Sequence, residues 1–168
     1  LDSHDAIHGT NYGIYDNGDG TITVPNIENV DTLIFIDYLW QPYSQIKDFA
    51  GVEEFSQLQY FEFGAIRWEN PPNLRFYNNS NIQIIKLGSW TVIDSLIITN
   101  CNSFKSLQTK SGISNTHTNY VSISDCPAFD EWTIHGSSYV EIINCDALQI
   151  FSGHDTDNGF SVGKFIDC

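Results

Sequence analysis

The sequence contains no methionine and only 7 lysine and arginine residues, against 21 aspartate and glutamate residues. The resulting net charge of −14 repels phosphate groups, which argues against nucleic acid as a partner and disfavours anionic membranes. Long apolar runs are also missing, because the longest, near "LIFI", is far below the roughly 20 residues that cross a bilayer. The composition therefore predicts neither a nucleic-acid-binding protein nor a transmembrane segment.

Good helix formers are scarce as well. Lysine, arginine, glutamate and alanine are sparse, whereas valine, isoleucine, threonine, tyrosine and phenylalanine dominate, and aromatic residues reach 14%. A chain of 168 residues suits one domain and is long enough to bury a core. We therefore expect a β-rich single domain over residues 1–168.

The second half of the chain repeats a short unit in which a strand-like run reaches Asn or Asp and then Cys. The cysteines are 25, 19 and 23 residues apart. Apolar residues lie three and five positions before each of the first three, as Ile98 and Leu96 do before Cys101, which places them on one face of a strand. Similar spacing with variable connections is typical of a solenoid. The four units are "SLIITNC" (95–101), "YVSISDC" (120–126), "YVEIINC" (139–145) and "GKFIDC" (163–168).

The cysteines permit two interpretations. One is a disulfide pair or a metal site, although the chain has no C-x-x-C motif, which disfavours a zinc knuckle. The other is a column of buried free thiols, each following a strand, and the shared phase of the four residues favours it. Phe104, Phe129 and Leu148 each lie three positions after a cysteine, and we expect them to fill the core.

Residues 46–63, "IKDFAGVEEFSQLQYFEF", resemble the "I-x-D-L-x-G-I-E-x-F-x-x-L-x-x-L-x-L" unit of leucine-rich repeat proteins from the surface of gut Bacteroidetes. In that family an acidic, glycine-rich segment often precedes the first repeat, as "YDNGDGTI" does here. The matching positions are Ile46, Asp48, Gly51, Val52, Glu53, Phe55, Leu58, Phe61 and Phe63.

The resemblance implies a β-rich solenoid of leucine-rich-repeat-like coils, with one main parallel sheet and few or short helices. Residues 1–45 would form an N-terminal hairpin or cap, and residues 46–168 irregular repeats. A right-handed single-stranded β-helix is the close alternative, and a β-sandwich carbohydrate-binding module is a further one. Two segments, "NLRFYNN" (73–79) and "IQIIKLGSW" (82–90), both fit the repeat, yet only one coil fits between Phe63 and Leu96. One of them is therefore expected off the main sheet, unless a coil is short.

The segment "DNGDG" (16–20) partly fits a calcium loop. With Gly20 as the sixth position, Asn17 and Asp19 occupy the third and fifth ligand positions. Tyr15 and Asn26, however, stand where the first and last carboxylate ligands are needed. A hairpin with an Asn-Gly or Asp-Gly turn explains the same residues and is favoured, with calcium as the alternative and no other cofactor expected.

A solenoid offers a rigid, extended surface, and binding is its usual use. The resemblance implies a non-enzymatic binding or adhesion protein that recognises a protein or glycan partner at a bacterial surface. The absence of methionine and the start at Leu1 suggest a trimmed chain, extracellular or displayed on the cell and originally exported or lipid-anchored. Outward strand positions predict the ligand-binding residues Tyr60, Glu62, Lys86, Thr99, Ser122 and Glu141.

Two other classes of function stay open. A polysaccharide-acting enzyme of the β-helix type would need a carboxylate pair about 5–10 Å apart in a cleft. A structural or self-assembling component of the envelope would need an exposed solenoid end. The last repeat unit ends at Cys168, which predicts an edge that a second copy could cover in a homodimer.

Overall fold

The structure is a computed structural model that describes residues 15–16, 22–23, 27–36, 51–64, 71, 73–88, 91–109, 116–133, 136–151 and 162–168. Within these ranges the chain forms strands and two short 3-10 helices, at Ile27–Asn29 and Val52–Glu54. The strands are β1 (Tyr15–Asp16), β2 (Ile22–Thr23), β3 (Thr32–Ile36), β4 (Tyr60–Gly64), β5 (Asn73–Tyr77), β6 (Ile84–Leu87), β7 (Val92–Thr99), β8 (Ser106–Thr109), β9 (His117–Ser124), β10 (Glu131–Trp132), β11 (Ser137–Ile143), β12 (Ile150–Phe151) and β13 (Val162–Ile166).

From β4 onward the chain winds between two parallel sheets. The described strands form a six-stranded sheet in the order β12-β10-β8-β6-β4-β3 and a five-stranded sheet in the order β13-β11-β9-β7-β5. This architecture is a β-solenoid, and the predicted β-rich solenoid with few or short helices is confirmed. It differs from the expected single main sheet because each coil carries two apolar strand segments, one on either side of the Asn-Cys step.

The two crowded segments between Phe63 and Leu96 belong to different sheets. In β5, Leu74 pairs in register with Leu96, whereas in β6, Ile85 pairs with Phe61. Both segments are therefore strands of the same coil, and the limited room between Phe63 and Leu96 is explained.

A single residue in the left-handed conformation turns the chain out of each strand of the five-stranded sheet. Asparagine and aspartate tolerate this conformation better than other residues with a side chain. The backbone N–H of each of the first four donates to a carbonyl of the following coil, as Asn100 does to Ser124 at 3.0 Å. We call these residues the asparagine corner: Asn78, Asn100, Asp125, Asn144 and Asp167, with φ between 49° and 58°.

The asparagine corner fixes the length of one side of every coil. One row of residues is paired in register across the five-stranded sheet, and another row is paired across the six-stranded sheet. Each residue of the first row is followed eleven residues later by a residue of the second: Asn73 by Ile84, Ser95 by Ser106, Tyr120 by Glu131, and Tyr139 by Ile150. The unequal cysteine spacing therefore arises entirely in the return from the six-stranded to the five-stranded sheet.

The core lies between the inner faces of the two sheets. Phe61 of the six-stranded sheet meets Phe76 of the five-stranded sheet edge to face, with ring centroids 5.1 Å apart. Phe104 and Phe129 are fully buried and stack, and Leu148 packs against the same core while partly exposed, which confirms the role predicted for these positions. Trp132 is also fully buried.

Near the N-terminus, β1 and β2 pair in antiparallel fashion, with Tyr15 opposite Thr23. This pairing agrees with the hairpin predicted around "DNGDG". The candidate calcium ligands Asn17 and Asp19 lie outside the described residues. Further along, β3 pairs in parallel with β4, so the region expected to be an N-terminal cap contributes an edge strand to the six-stranded sheet.

Candidate binding surface

The six predicted ligand-binding residues occupy outward strand positions, but they are divided between the two sheets. Ser122, for example, lies between the buried residues Val121 and Ile123 of β9. The six-stranded sheet carries Tyr60, Glu62 and Lys86, and the five-stranded sheet carries Thr99, Ser122 and Glu141. The structure thus brings together two groups of three rather than one patch of six.

The group on the six-stranded sheet is bonded within itself. Glu62 is only 7% exposed and accepts a hydrogen bond from the Tyr60 hydroxyl at 2.5 Å. Its other carboxylate oxygen lies 3.4 Å from the ammonium group of Lys86. Burial, followed by the hydrogen bond and the charge of Glu62, raises the pKa of Tyr60 above its ordinary value. Because Glu62 is nearly buried and both its carboxylate oxygens already contact Tyr60 or Lys86, these three residues present few accessible polar atoms to a ligand.

The outward side of the five-stranded sheet is more accessible. Tyr120 and Tyr139 lie on neighbouring strands with their rings stacked, centroids 5.5 Å apart and planes 12° from parallel. Beside them runs the row Arg75, Ile97, Ser122, Glu141 and Lys164. We call this surface the tyrosine face, made of the outward residues Arg75, Tyr77, Ile97, Thr99, Tyr120, Ser122, Ser124, Tyr139, Glu141, Ile143 and Lys164.

A charged network organises one part of the tyrosine face. The Lys164 ammonium donates to Glu141 Oε1 at 2.7 Å, and the Tyr120 hydroxyl donates to Glu141 Oε2 at 3.3 Å. The hydrogen bond from Lys164 is the main reason why the pKa of Glu141 lies below its ordinary value, and the same bond raises the pKa of Lys164. Further along the face, Ser124 Oγ donates to Thr99 Oγ1 at 3.1 Å.

The pair of Glu141 and Lys164 is expected to make stability depend on acid pH. Because the folded-state pKa of Glu141 is lowered, its contribution is complete above the unfolded value of about 4.3 and is lost as pH falls through the folded value. Lys164→Met should therefore lower the urea midpoint at pH 7, and the difference from the unmodified chain should vanish in strong acid, where Glu141 is protonated in both states. A Glu141→Gln variant and the double variant complete the cycle. A difference that persists unchanged in strong acid would mean that Lys164 acts through packing.

A polar cluster lies at the beginning of β7, β9 and β11. His117 Nε2 lies 3.1 Å from Asn119 Oδ1 and 3.3 Å from Ser138 Oγ, while Asn119 donates to Asp94 Oδ1 at 3.0 Å. A serine nucleophile needs the two ring nitrogens in different roles, one facing the serine and the other an orienting carboxylate. Here one nitrogen contacts both partners, so the cluster links neighbouring coils without forming that catalytic arrangement.

Glu62 and Glu131 occupy outward positions of the six-stranded sheet, but β6 and β8 separate their strands and Glu131 is in register with Tyr60, so their backbones lie more than about 14 Å apart at ordinary strand spacing. That distance exceeds what a glycosidase pair requires. In the part of the chain that the structure describes, no three or more His, Cys, Asp and Glu residues are placed to hold a metal ion together.

Sequence reasoning missed the two stacked tyrosines. Their signal was present, because Tyr120 and Tyr139 begin the repeat units "YVSISDC" and "YVEIINC" at the same phase. Arg75 and Lys164 were missed because their strands were not assigned to the same sheet as Ser122.

Comparison with known protein families, with curated proteins and with solved structures finds no match to this chain. Across the described ranges, no helix is both long and apolar enough to cross a membrane.

Proposed function

We propose that this chain is a non-enzymatic binding or adhesion protein that recognises a protein or glycan partner through the tyrosine face. The observation that carries the proposal is the stacked pair of Tyr120 and Tyr139 beside the charged row that contains Glu141 and Lys164. We further propose that the protein works outside the cell or on a bacterial cell surface, in keeping with its resemblance to surface leucine-rich repeat proteins.

The composition of the tyrosine face suits recognition. Tyrosine combines a large apolar ring with a polar hydroxyl, and it is enriched at interfaces for that reason. Strands hold these side chains in fixed rows, so a partner meets a surface that loses little conformational entropy on binding. The hydroxyls of Thr99, Ser122 and Ser124 add hydrogen-bonding groups of the kind that match a glycan or a peptide backbone.

A second candidate is a structural or self-assembling role, with a homodimer formed through the C-terminal edge. The observation that favours it is β13, an edge strand on which Phe165 is 49% and Ile166 is 38% exposed. Exposed apolar residues on an unpaired strand edge promote pairing between chains.

The test compares matched substitutions on the two sheets. Ser122→Arg and Gln108→Arg each place a long side chain at a half-buried outward position of a strand, in β9 and β8 respectively. Labelled protein is applied to an array of host glycans, mucins and matrix proteins, with and without calcium. We expect selective binding that Ser122→Arg weakens by about tenfold or more, which corresponds to roughly 1.4 kcal/mol, while Gln108→Arg leaves it unchanged.

The other outcomes are informative. Loss of binding with Gln108→Arg alone would move the site to the six-stranded sheet and overturn the assignment to the tyrosine face. Dependence on calcium would point to Asn17 and Asp19. An array without binding in either condition would contradict the binding role and favour self-assembly.

A further inference from the structure

The four cysteines form a regular column, which we call the cysteine column. Each thiol points to the carbonyl two residues before it in the chain and to a carbonyl of the preceding coil. The cysteines follow strands that are neighbours in the five-stranded sheet, so we expect neighbouring sulfurs to be separated by the usual distance between strands, about 4.8 Å. The distances from each sulfur to the carbonyl oxygen two residues before it are 3.5 Å for Cys101 to Thr99, 3.2 Å for Cys126 to Ser124, 3.3 Å for Cys145 to Ile143 and 3.2 Å for Cys168 to Ile166.

This spacing disfavours disulfides within the column. A disulfide needs sulfurs about 2.05 Å apart and Cβ atoms about 3.8 Å apart, whereas residues in register on neighbouring parallel strands hold them about a full ångström further. All four cysteines are free thiols in the structure. Closing a disulfide would require the coils to move towards each other against a packed core.

We propose that the cysteine column binds a thiophilic d10 metal ion, of the Cu(I), Ag(I) or Hg(II) class, in linear coordination between sulfurs of neighbouring coils. Two metal–thiolate bonds of about 2.3 Å span about 4.6 Å, close to the spacing of the coils. Thiolate ligands select soft metals of this kind. A two-sulfur site of this type also needs no third ligand.

Backbone N–H groups near the sulfurs favour the thiolate form that a metal ion binds. The backbone N–H groups of Asn79, Cys101 and Cys126 lie at the sulfurs of Cys101, Cys126 and Cys145 respectively.

The proton balance follows from the apolar surroundings. Silver binds one thiolate and one thiol and releases one proton, so that Ag⁺ + 2 RSH gives RS–Ag–S(H)R + H⁺, which is neutral. Mercury binds two thiolates and releases two protons, and its complex is neutral as well. Neither step involves oxidation or reduction. A net charge at these buried sulfurs would be costly, and this selects the neutral complexes.

The column has an entrance and an end. Cys101, Cys126 and Cys145 are fully buried, whereas Cys168 is exposed, so Cys168 is the sulfur that an ion in solution would meet first. At the other end, Asn79 takes the position of the cysteine in the first coil, and its amide donates to the Val52 carbonyl at 3.3 Å. Four sulfurs therefore accommodate two ions.

The test is a titration of the folded 168-residue chain with Ag(I), without oxygen or competing reductant, followed by native mass spectrometry and by proton release. We expect saturation at two silver ions per chain, with one proton released for each. Cys168→Ser should reduce the capacity to one ion and slow uptake. Cys101→Ser should also reduce the capacity to one ion but leave the rate of uptake unchanged.

Circular dichroism and the urea midpoint establish that each variant is folded before titration. A single ion that is lost entirely with Cys168→Ser would show one exposed thiol acting alone and overturn the proposal. Four ions per chain, or no binding by the folded protein, would overturn it as well. The experiment uses no partner of the tyrosine face, so its result is independent of the proposed function.

Discussion

Replacing Phe104 by alanine is expected to lower the free energy of unfolding by about 3–5 kcal/mol, the range for large aromatic residues in a core. Phe104 is fully buried and lies three residues after Cys101, at the turn that leads into the six-stranded sheet. Its ring stacks on Phe129 of the next coil with centroids 5.2 Å apart and planes 6° from parallel. The loss combines the cavity left behind with the broken aromatic pair.

Urea unfolding followed by circular dichroism measures this loss. Leu148→Ala is the matched control, because Leu148 holds the equivalent position two coils further on but is partly exposed. We expect Leu148→Ala to lower the free energy of unfolding by less than half as much as Phe104→Ala, because folding removes less apolar surface from water at Leu148. Equal losses at the two positions would mean that the post-cysteine residues do not stabilise the stack through burial.

Gly136→Ala is expected to destabilise the protein by about 2–4 kcal/mol, through backbone strain and overpacking together. Gly136 has φ = +71°, a left-handed conformation that a Cβ atom disfavours. A Cβ atom there would lie 2.7 Å from the Thr116 carbonyl oxygen. That oxygen belongs to the backbone of the preceding coil and cannot move aside as a flexible side chain would.

Gly51→Ala separates the two causes, because Gly51 also has positive φ, at +95°, but an added Cβ atom would meet nothing within 4 Å. We expect a loss of about 1 kcal/mol there, from strain alone. The difference in urea midpoint between the two variants then measures the contact with Thr116. Similar midpoints would show that coil spacing at Gly136 relaxes freely.

Much of the fold could be predicted from the repeat unit. An Asn-Cys or Asp-Cys step marks four of the five described corners, because asparagine and aspartate tolerate the left-handed turn and cysteine then follows; Asn78-Asn79 marks the first. The second sheet was harder to predict, since β10 and β12 are only two residues long and leave little alternation to read. Segments 73–79 and 82–90 did indicate a second sheet, because they are two strand-like runs within one coil whose apolar positions are eleven residues apart.

The binding surface was predicted only in part, for a physical reason. A period of two shows which side chains of a strand point outward, but it does not show which of two sheets the strand joins. Tyr60 and Ser122 therefore entered the same predicted patch although they lie on different sheets. Cys168 was expected to be buried like the other three cysteines, and it is exposed because β13 is an edge strand.

The constant eleven-residue step at the asparagine corner has a consequence for how such a chain can change. Insertions or deletions on that side would shift one sheet against the other and turn core residues outward. Length differences on the return side already occur between coils of this protein and leave both registers intact. Evolution, or an engineer inserting a foreign peptide, therefore has one permissive side on every coil, and new sequence can be displayed there while the scaffold stays the same.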